Sequence, residues 1–426
     1  MLAAEVTESK KTRMEDVVVG LTSKCVAMFL DSSPGFPQFS RRFTPEEQLK
    51  TERELEKLID ETTSRVARSK ASGAARAAEV EKLKASVKVF VARFLCSGNN
   101  GTETDFLEDF SQVGDEFVRK ARAFDPRLNL EDIHQALRNV WIMNSLQVFL
   151  GKQVALTPSG FAYSLLYPYT DNYLDDPRVP PETKTDFVHA LGRRLAGEEV
   201  QAMIPALSNP FKLIEMIEGE YPRLAYAEVF DSLLAIHHAQ VEALAQQARS
   251  PSLSTQDILE MSVEKGGTSV LADGYVAAGV LEDEVKDFAF GFGVCLQLMD
   301  DLQDLEEDWA HGHQTLMTKT AAVGCLDVVT NRLINFRASL IGSGGYLYSP
   351  QAQALLQLSH KSCLTLILEA TARASHRYTK DYLTALEAYS PLRFSYLKSL
   401  KENLRHKSKS PRRLESAISA GAYSGR

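Results

Sequence analysis

An all-α fold is predicted for this chain, and three observations predict it. Apolar residues recur at helical spacing through most of residues 103–388. Period-2 alternation bounded by turn residues is essentially missing. Pro, Gly, Asn or Asp stands at most of the joints between periodic segments.

Residues 1–43 are mixed in character and hold a Ser-Ser-Pro-Gly-Phe-Pro turn at 32–37. Residues 44–95 are charged and Ala-rich. They open on Thr44-Pro45-Glu46-Glu47, a cap followed by Pro at the first helical position. This arm reads as a peripheral helical layer or a partner-facing hairpin, and Gly98–Thr102 as a loop. Amphipathic segments are expected at 103–123, 130–150, 158–175, 183–196, 223–247, 254–264, 267–280, 282–308, 325–341 and 350–388. The implied organisation is an N-terminal helical extension over 1–100 and a main helical domain over 101–404. A basic tail over 405–426 is expected to be disordered.

The chain has 426 residues, 44% hydrophobic and 24% charged, enough apolar material for a sizeable core. A net charge of −8 speaks against a nucleic-acid partner, which would need a basic face. Cys25, Cys96, Cys295, Cys325 and Cys363 are dispersed, with no CxxC pair. They read as reduced thiols in a cytoplasmic protein. No signal peptide and no apolar run of ~20 residues is evident, so no transmembrane segment is expected.

Two acidic clusters stand inside apolar helical stretches. Asp171 and Asp175 are i, i+4 neighbours, with Tyr163 and Tyr167 continuing their stripe and Pro168 just before. Asn172 and Asp176 form a parallel pair. In the second cluster Asp300, Asp304 and Asp308 line one helix face, and Gln297 and Asp301 share another. Phe288, Phe292, Leu296, Leu298 and Leu302 argue against a solvated acidic face. Mg²⁺ takes oxygen ligands in near-octahedral geometry, and carboxylates at helical spacing supply two or three while diphosphate oxygens supply others. No Gly-rich phosphate loop, HExxH or G-x-S-x-G motif occurs.

These clusters resemble the metal motifs of the class I isoprenoid (terpenoid) synthase superfamily, over roughly residues 130–400. Gln297-x-x-Asp300-Asp301-x-x-Asp304 is similar to the FQxxDDxxD of chain-elongating trans-prenyltransferases, with Leu296 in place of Phe. Leu296-Gln297-Leu298, Asp304, Glu307-Asp308, Gly312 and Leu316 are similar to the second motif of squalene and phytoene synthases. Asp300, Asp304 and Asp308 fall at the three positions of the Asn-Ser-Glu metal triad of terpene cyclases. Asp171, Asp175 and Asp176 resemble the first motif of squalene-type synthases; Asn172 departs from the DDxxD of chain elongators. Lys265 resembles their diphosphate-contacting lysine. Arg377-Tyr378 resembles the Arg-Tyr pair of microbial terpene cyclases, with Arg373 and Arg393 as alternatives. Tyr275–Val280 looks like the small-residue helix that lines the tail cavity of squalene-type enzymes.

The resemblance implies a class I terpenoid synthase-like helical bundle with facing metal-binding helices and an extra N-terminal helical arm. It implies Mg²⁺, three ions with a bound diphosphate, on Asp171, Asp175, Asp176, Asp300, Asp301, Asp304 and Asp308. Lys265, Arg377 and Gln297 would contact the diphosphate, and Asp171, Asp175, Asp300, Asp304, Arg377 and Tyr378 would carry catalysis. The expected activity is a terpene synthase that ionises a linear prenyl diphosphate and releases diphosphate. Phe161, Tyr163, Tyr167, Tyr169, Tyr173, Phe288, Phe290 and Phe292 are candidates to line the cation's cavity. No Gly-Gly-Lys stretch precedes the first motif, as chain elongators would need for isopentenyl diphosphate. A squalene/phytoene-type or chain-elongating prenyltransferase is the alternative, and a non-catalytic helical interaction protein the second. A homodimer is an allowed assembly.

Overall fold

The computed structural model describes residues 13–68, 105–247, 253–342 and 349–407. Among them are sixteen α-helices and no strand, so the all-α expectation holds. In chain order these are α1 (Met14–Asp31), α2 (Pro45–Arg68), α3 (Asp105–Phe124), α4 (Leu130–Phe149) and α5 (Pro158–Asp175). Next come α6 (Pro181–Leu195), α7 (Ser208–Glu220), α8 (Ala227–Gln247), α9 (Thr255–Ala278) and α10 (Asp283–Gln303). The last are α11 (Leu305–His311), α12 (Leu316–Ala322), α13 (Leu326–Gly342), α14 (Pro350–Arg373), α15 (Lys380–Glu387) and α16 (Phe394–Lys407).

Helix α9 is the axis of the bundle. From Gly266 to Ala277 every residue except Ser269 is buried. A helix apolar on all sides belongs inside a large core, and α1, α4, α5, α8, α10 and α12 pack around this one. A capping box starts it: Ser254 accepts from the Asp257 N–H and the Asp257 carboxylate accepts from the Ser254 N–H.

The sequence placed a break between 264 and 267, but α9 runs straight through Gly266-Gly267. These glycines are spacers rather than helix breakers. A Cβ at Gly266 would collide with the Gln297 Cβ and lie 2.7 Å from the Gly293 carbonyl oxygen. A Cβ at Gly293 would collide with the Gly266 carbonyl oxygen. The missing side chains bring the backbones of α9 and α10 into contact. Each glycine costs a helix interior about 1 kcal/mol, offset here by the close seam.

The expected helix over 282–308 is divided. Asp304, at φ −94° and ψ 5°, ends α10 and opens α11. The expected segment 350–388 is likewise divided by a 3₁₀ turn at Ser375–Arg377. Four helices were not anticipated: α1, α7, α12 and α16. In α1 the residues that mask the pattern, Gly20, Ser23 and Lys24, are exposed, while Met14, Val18, Leu21, Cys25 and Phe29 form a buried stripe. That stripe shares one core with α4, α5, α8, α9 and α10, so residues of the N-terminal hundred belong to the packed bundle.

The start of the charged arm is also docked. Gln48 Nε2 donates to the Glu387 and Ser390 carbonyls at 3.0 Å, and Glu52 binds the Arg393 guanidinium. The rest of the arm, the 98–102 loop and the tail beyond 407 lie outside the described residues. Among the described residues no helix is long and apolar enough to cross a membrane.

Candidate functional site

The first acidic bank ends α5. Thr157 caps that helix by accepting the Gly160 N–H at 3.0 Å, with Pro158 at its first position. The helix continues through Pro168, neither starting nor stopping there. Asp171 is partly buried, accepting from Thr170 Oγ1 at 3.3 Å and from Gln135 Nε2 of α4 at 3.5 Å. Burial pushes its carboxyl up to about 6; Lys265 opposes the rise and the neighbouring Asp175 adds to it. Asp175 is exposed on the same face. Asp176 is not brought to that face. It is the extended C-cap residue, and Arg178 grips it at 2.8–3.2 Å and holds it at about 2.

The second bank crosses the α10–α11 break. Backbone bonds from the Asp304 N–H to the Asp300 carbonyl (2.9 Å) and from the Asp308 N–H to the Asp304 carbonyl (2.8 Å) preserve helical spacing across it. Asp300, Asp304 and Asp308 therefore remain one electrostatic unit. Desolvation first, then repulsion from Asp300, Asp308 and Glu307, pushes Asp304 up to about 6. Asp308 is also raised, first by burial, with His313 Nδ1 3.3 Å away opposing. Asp300 takes a 3.0 Å ion pair from Arg138 of α4. Asp301 faces inward to the α9–α10 seam, 6% exposed, held by Gln297 Nε2 at 2.8 Å and Ser262 Oγ at 3.2 Å. Burial pushes it up to about 7.

Lys265 of α9 joins the banks. Its charge acts on both Asp171 and Asp301 and opposes the rise of each. Arg377 lies beside the second bank, bound to Glu306 at 2.7 Å and stacked 4.0 Å over Trp309. Tyr378 turns elsewhere: its hydroxyl meets Thr330 Oγ1 at 2.8 Å and its ring stacks on Tyr382. Of the alternatives, Arg373 pairs with Glu369 on its own helix and Arg393 with Glu52 on α2.

Below Asp171, between α5, α6 and α8, lies an apolar cavity of about 40 Å³. That is room for roughly three waters. Tyr163, Leu166, Tyr167, Leu191, Leu195, Leu233, Ile236 and His237 are in its wall. Of the eight candidate aromatics, Tyr163 and Tyr167 line it. Phe290 instead packs where Gly267 leaves space, and Phe288 and Phe292 stack in a second cluster with Phe106 and Phe149. Tyr169 donates to Asp125, and Tyr173 stacks on Phe187.

Sequence reasoning missed several residues. Gln135, Arg138 and Asn139 share a polar face of the largely apolar α4, a detectable signal at i, i+3, i+4 spacing. Asn139 Nδ2 donates at 2.9 Å to Asp273, a fully buried carboxyl pushed well up by desolvation, whose second oxygen has no partner. His237 had no signal. Burial, with His238 adding, lowers it to about 4, so a neutral imidazole faces the cavity.

The donor set suits a hard divalent cation, being all carboxylate oxygen. Burial is the main cause that pushes Asp171, Asp301, Asp304 and Asp308 upward, and neighbouring carboxylates add to each rise. Among the described residues, however, no three His, Cys, Asp or Glu side chains converge closely enough to hold a metal unaided.

No protein-family model matches the chain, and no curated protein matches it. Among solved structures it is similar to a geranyltransferase from Legionella pneumophila, at 10% identity and a TM-score of 0.39. The match covers 64% of this chain and 99% of that one. A likeness at that level carries no argument about activity, which rests on the site itself.

Proposed function

We propose that this chain is a Mg²⁺-dependent class I isoprenoid synthase that ionises a prenyl diphosphate. The observation that carries the reading is Lys265, one cation acting on Asp171 and Asp301 from the helix that packs against both of theirs. Asp171 and Asp175 on one bank, and Asp300, Asp304 and Asp308 on the other, would hold the ions. Bound there, Mg²⁺ supplies Lewis-acid neutralisation of the departing diphosphate. Diphosphate oxygens would supply ligands that these carboxylates do not.

The chain's own groups do the rest. Lys265 and Arg377, once released from Glu306, donate to diphosphate oxygens. The tail enters beside Tyr163 and Tyr167, whose rings face the allylic cation. At about 40 Å³ the cavity is smaller than the ~300 Å³ of ordinary ligand pockets, so Leu191, Leu195, Leu233 and Ile236 repack to admit a chain. Apolar walls keep water from the cation. The neutral His237 ring is positioned to accept the proton that ends the reaction. The leading product class is a terpene from one substrate.

A prenyltransferase is the second reading. Arg138 favours it, because a cation on α4 at the edge of the acidic mouth suits the diphosphate of a second substrate. The deciding experiment incubates the protein with Mg²⁺ and C10 to C25 prenyl diphosphates, with and without isopentenyl diphosphate. Diphosphate and extracted hydrocarbons are followed together. A terpene from one substrate supports the leading reading; product only with isopentenyl diphosphate, or a doubled chain, supports the second. No diphosphate from any of them overturns both.

A further inference from the structure

Helices α10, α13 and α14 pack on one another and bury Cys295, Arg337 and Cys363 where they meet. Cys295 lies about 140° around α10 from Asp300, so this cluster does not belong to the acidic cleft. Arg337 is 4% exposed. Its Nη1 donates to the His360 carbonyl at 2.5 Å, and its Nε has no hydrogen-bond partner. Among the described residues no carboxylate pairs with it; the acidic groups that act on it are the two thiols. A buried guanidinium needs an anion, since an unpaired buried charge is strongly unfavourable.

The two thiols are the acidic groups that act on Arg337. Cys295 hydrogen-bonds Cys363, and that bond, with the Arg337 charge, holds the Cys363 thiol below its ordinary range. The same bond, and then burial, pushes Cys295 well up. Of the two, Cys363 is the thiol favoured to ionise, by that bond and by the Arg337 charge. Other described cysteines have no such setting. Burial pushes Cys25 up to about 12, and Cys325 is exposed.

We propose that Cys295 and Cys363 are a redox-active pair that closes to a disulfide between α10 and α14, with Arg337 stabilising the attacking thiolate. The oxidant is a hydroperoxide small enough to enter the bundle. The Cys363 thiolate attacks one peroxide oxygen, the O–O bond breaks, and hydroxide leaves and takes a proton to become water. Cys363 is then a sulfenic acid. Cys295 loses its proton and attacks that sulfur, forming the S–S bond and expelling a second water. Two thiols and one peroxide give one disulfide and two waters. The sulfurs close from a hydrogen-bonded contact to a bond of about 2.05 Å. The link ties the helix of the second acidic bank to α14.

The test uses the full chain, reduced, freed of reductant and exposed to hydrogen peroxide under native conditions. Alkylation, digestion and mass spectrometry then map every cysteine. A linked Cys295–Cys363 peptide pair is expected, with Cys25 unmodified and Cys325 marking the response of an exposed thiol. Arg337→Met should slow linkage about tenfold, and Arg337→Lys should keep most of the rate. Circular dichroism checks that both variants fold. If the linked pair never forms at peroxide doses that fully oxidise Cys325, the proposal falls, and that result needs no variant. Equal rates in folded Arg337→Met and the parent chain would also overturn the role of Arg337.

Discussion

The two acidic banks differ in how much of their charge is already answered. On the second bank Asp300 has Arg138, Asp301 has Gln297 and Ser262, Asp308 has His313, and Glu306 has Arg377. On the first, Asp171 has two long hydrogen bonds, at 3.3 and 3.5 Å, and Asp175 stands exposed. The second bank is held in position before any ligand arrives. On the first, the burial of Asp171 is opposed mainly by the charge of Lys265, so this carboxylate gains most when a further cation comes. Stability and activity should therefore separate differently on the two banks.

The largest effect should come from deleting either bank's central ligand. Asp171→Ala and Asp300→Ala should each cut diphosphate release by about 10³-fold, on the scale of losing a principal charge-stabilising group. Their melting temperatures should diverge. Asp171→Ala removes a carboxylate whose burial outweighs its partners and should leave the ligand-free chain at least as stable as the parent. Asp300→Ala strips Arg138 of its partner and should bring no such gain. Paired assays of release and thermal melting check this, and full release activity in both variants would sink the metal assignment.

Next in size is the seam that sets where the second bank stands. Gly293→Ala places a methyl against the Gly266 carbonyl and should destabilise the chain by about 3 kcal/mol. Denaturant unfolding measures it; a loss under 1 kcal/mol, about the helix-propensity gain from Gly to Ala, would mean the helices separate easily.

This seam also shows where sequence reading reached its limit. Carboxylates at i, i+4 are a local pattern, and every one of them was legible. Gly266-Gly267 is local too, but the residue that breaks an isolated helix also permits close packing, and sequence alone does not separate the two uses. Arg138 lies on a polar face at helical spacing that went unread, whereas His237 reaches the site only through the packing of distant helices, so no spacing announced it. Tyr378 matched a dipeptide pattern yet points to Thr330, because the 3₁₀ turn before it sets its direction. The break at Asp304 was hidden for the opposite reason: its i, i+4 hydrogen bonds persist across the joint.

A smaller effect concerns pH. Asp301 has a folded value of about 7 against about 3.8 unfolded, so the native state keeps a proton that the unfolded state releases. Its contribution is intact below pH 4 and is lost as pH rises toward 7. Asp301→Asn keeps the shape and removes the titration. It should gain stability relative to the parent as pH rises from 4 to 7, by on the order of 2 kcal/mol. His237 and His360, both lowered to about 4 by burial, act in the opposite direction over this window. The informative quantity is therefore the difference between variant and parent in melting temperature at pH 5 and pH 8. A constant difference would show that Asp301 is ionised throughout.

The smallest stability change should be the sharpest probe of the comparison. Arg138 is 73% exposed at its side chain, and its pair with Asp300 should contribute less than about 1 kcal/mol. Arg138→Ala should thus melt within a few degrees of the parent. Yet Arg138 occupies a carboxylate that a metal would need, and its charge also opposes the rise of Asp304. Removing it frees Asp300 and takes one positive partner from the second bank. Mg²⁺ titrated without diphosphate, followed by calorimetry, should then bind a few-fold more tightly than to the parent. With inorganic diphosphate present the sign should reverse, because Arg138 released from Asp300 becomes a donor to the anion. A variant that binds Mg²⁺ alone no better than the parent would show that the Arg138–Asp300 pair does not guard the bank, and that the contrast between the banks arises from burial instead.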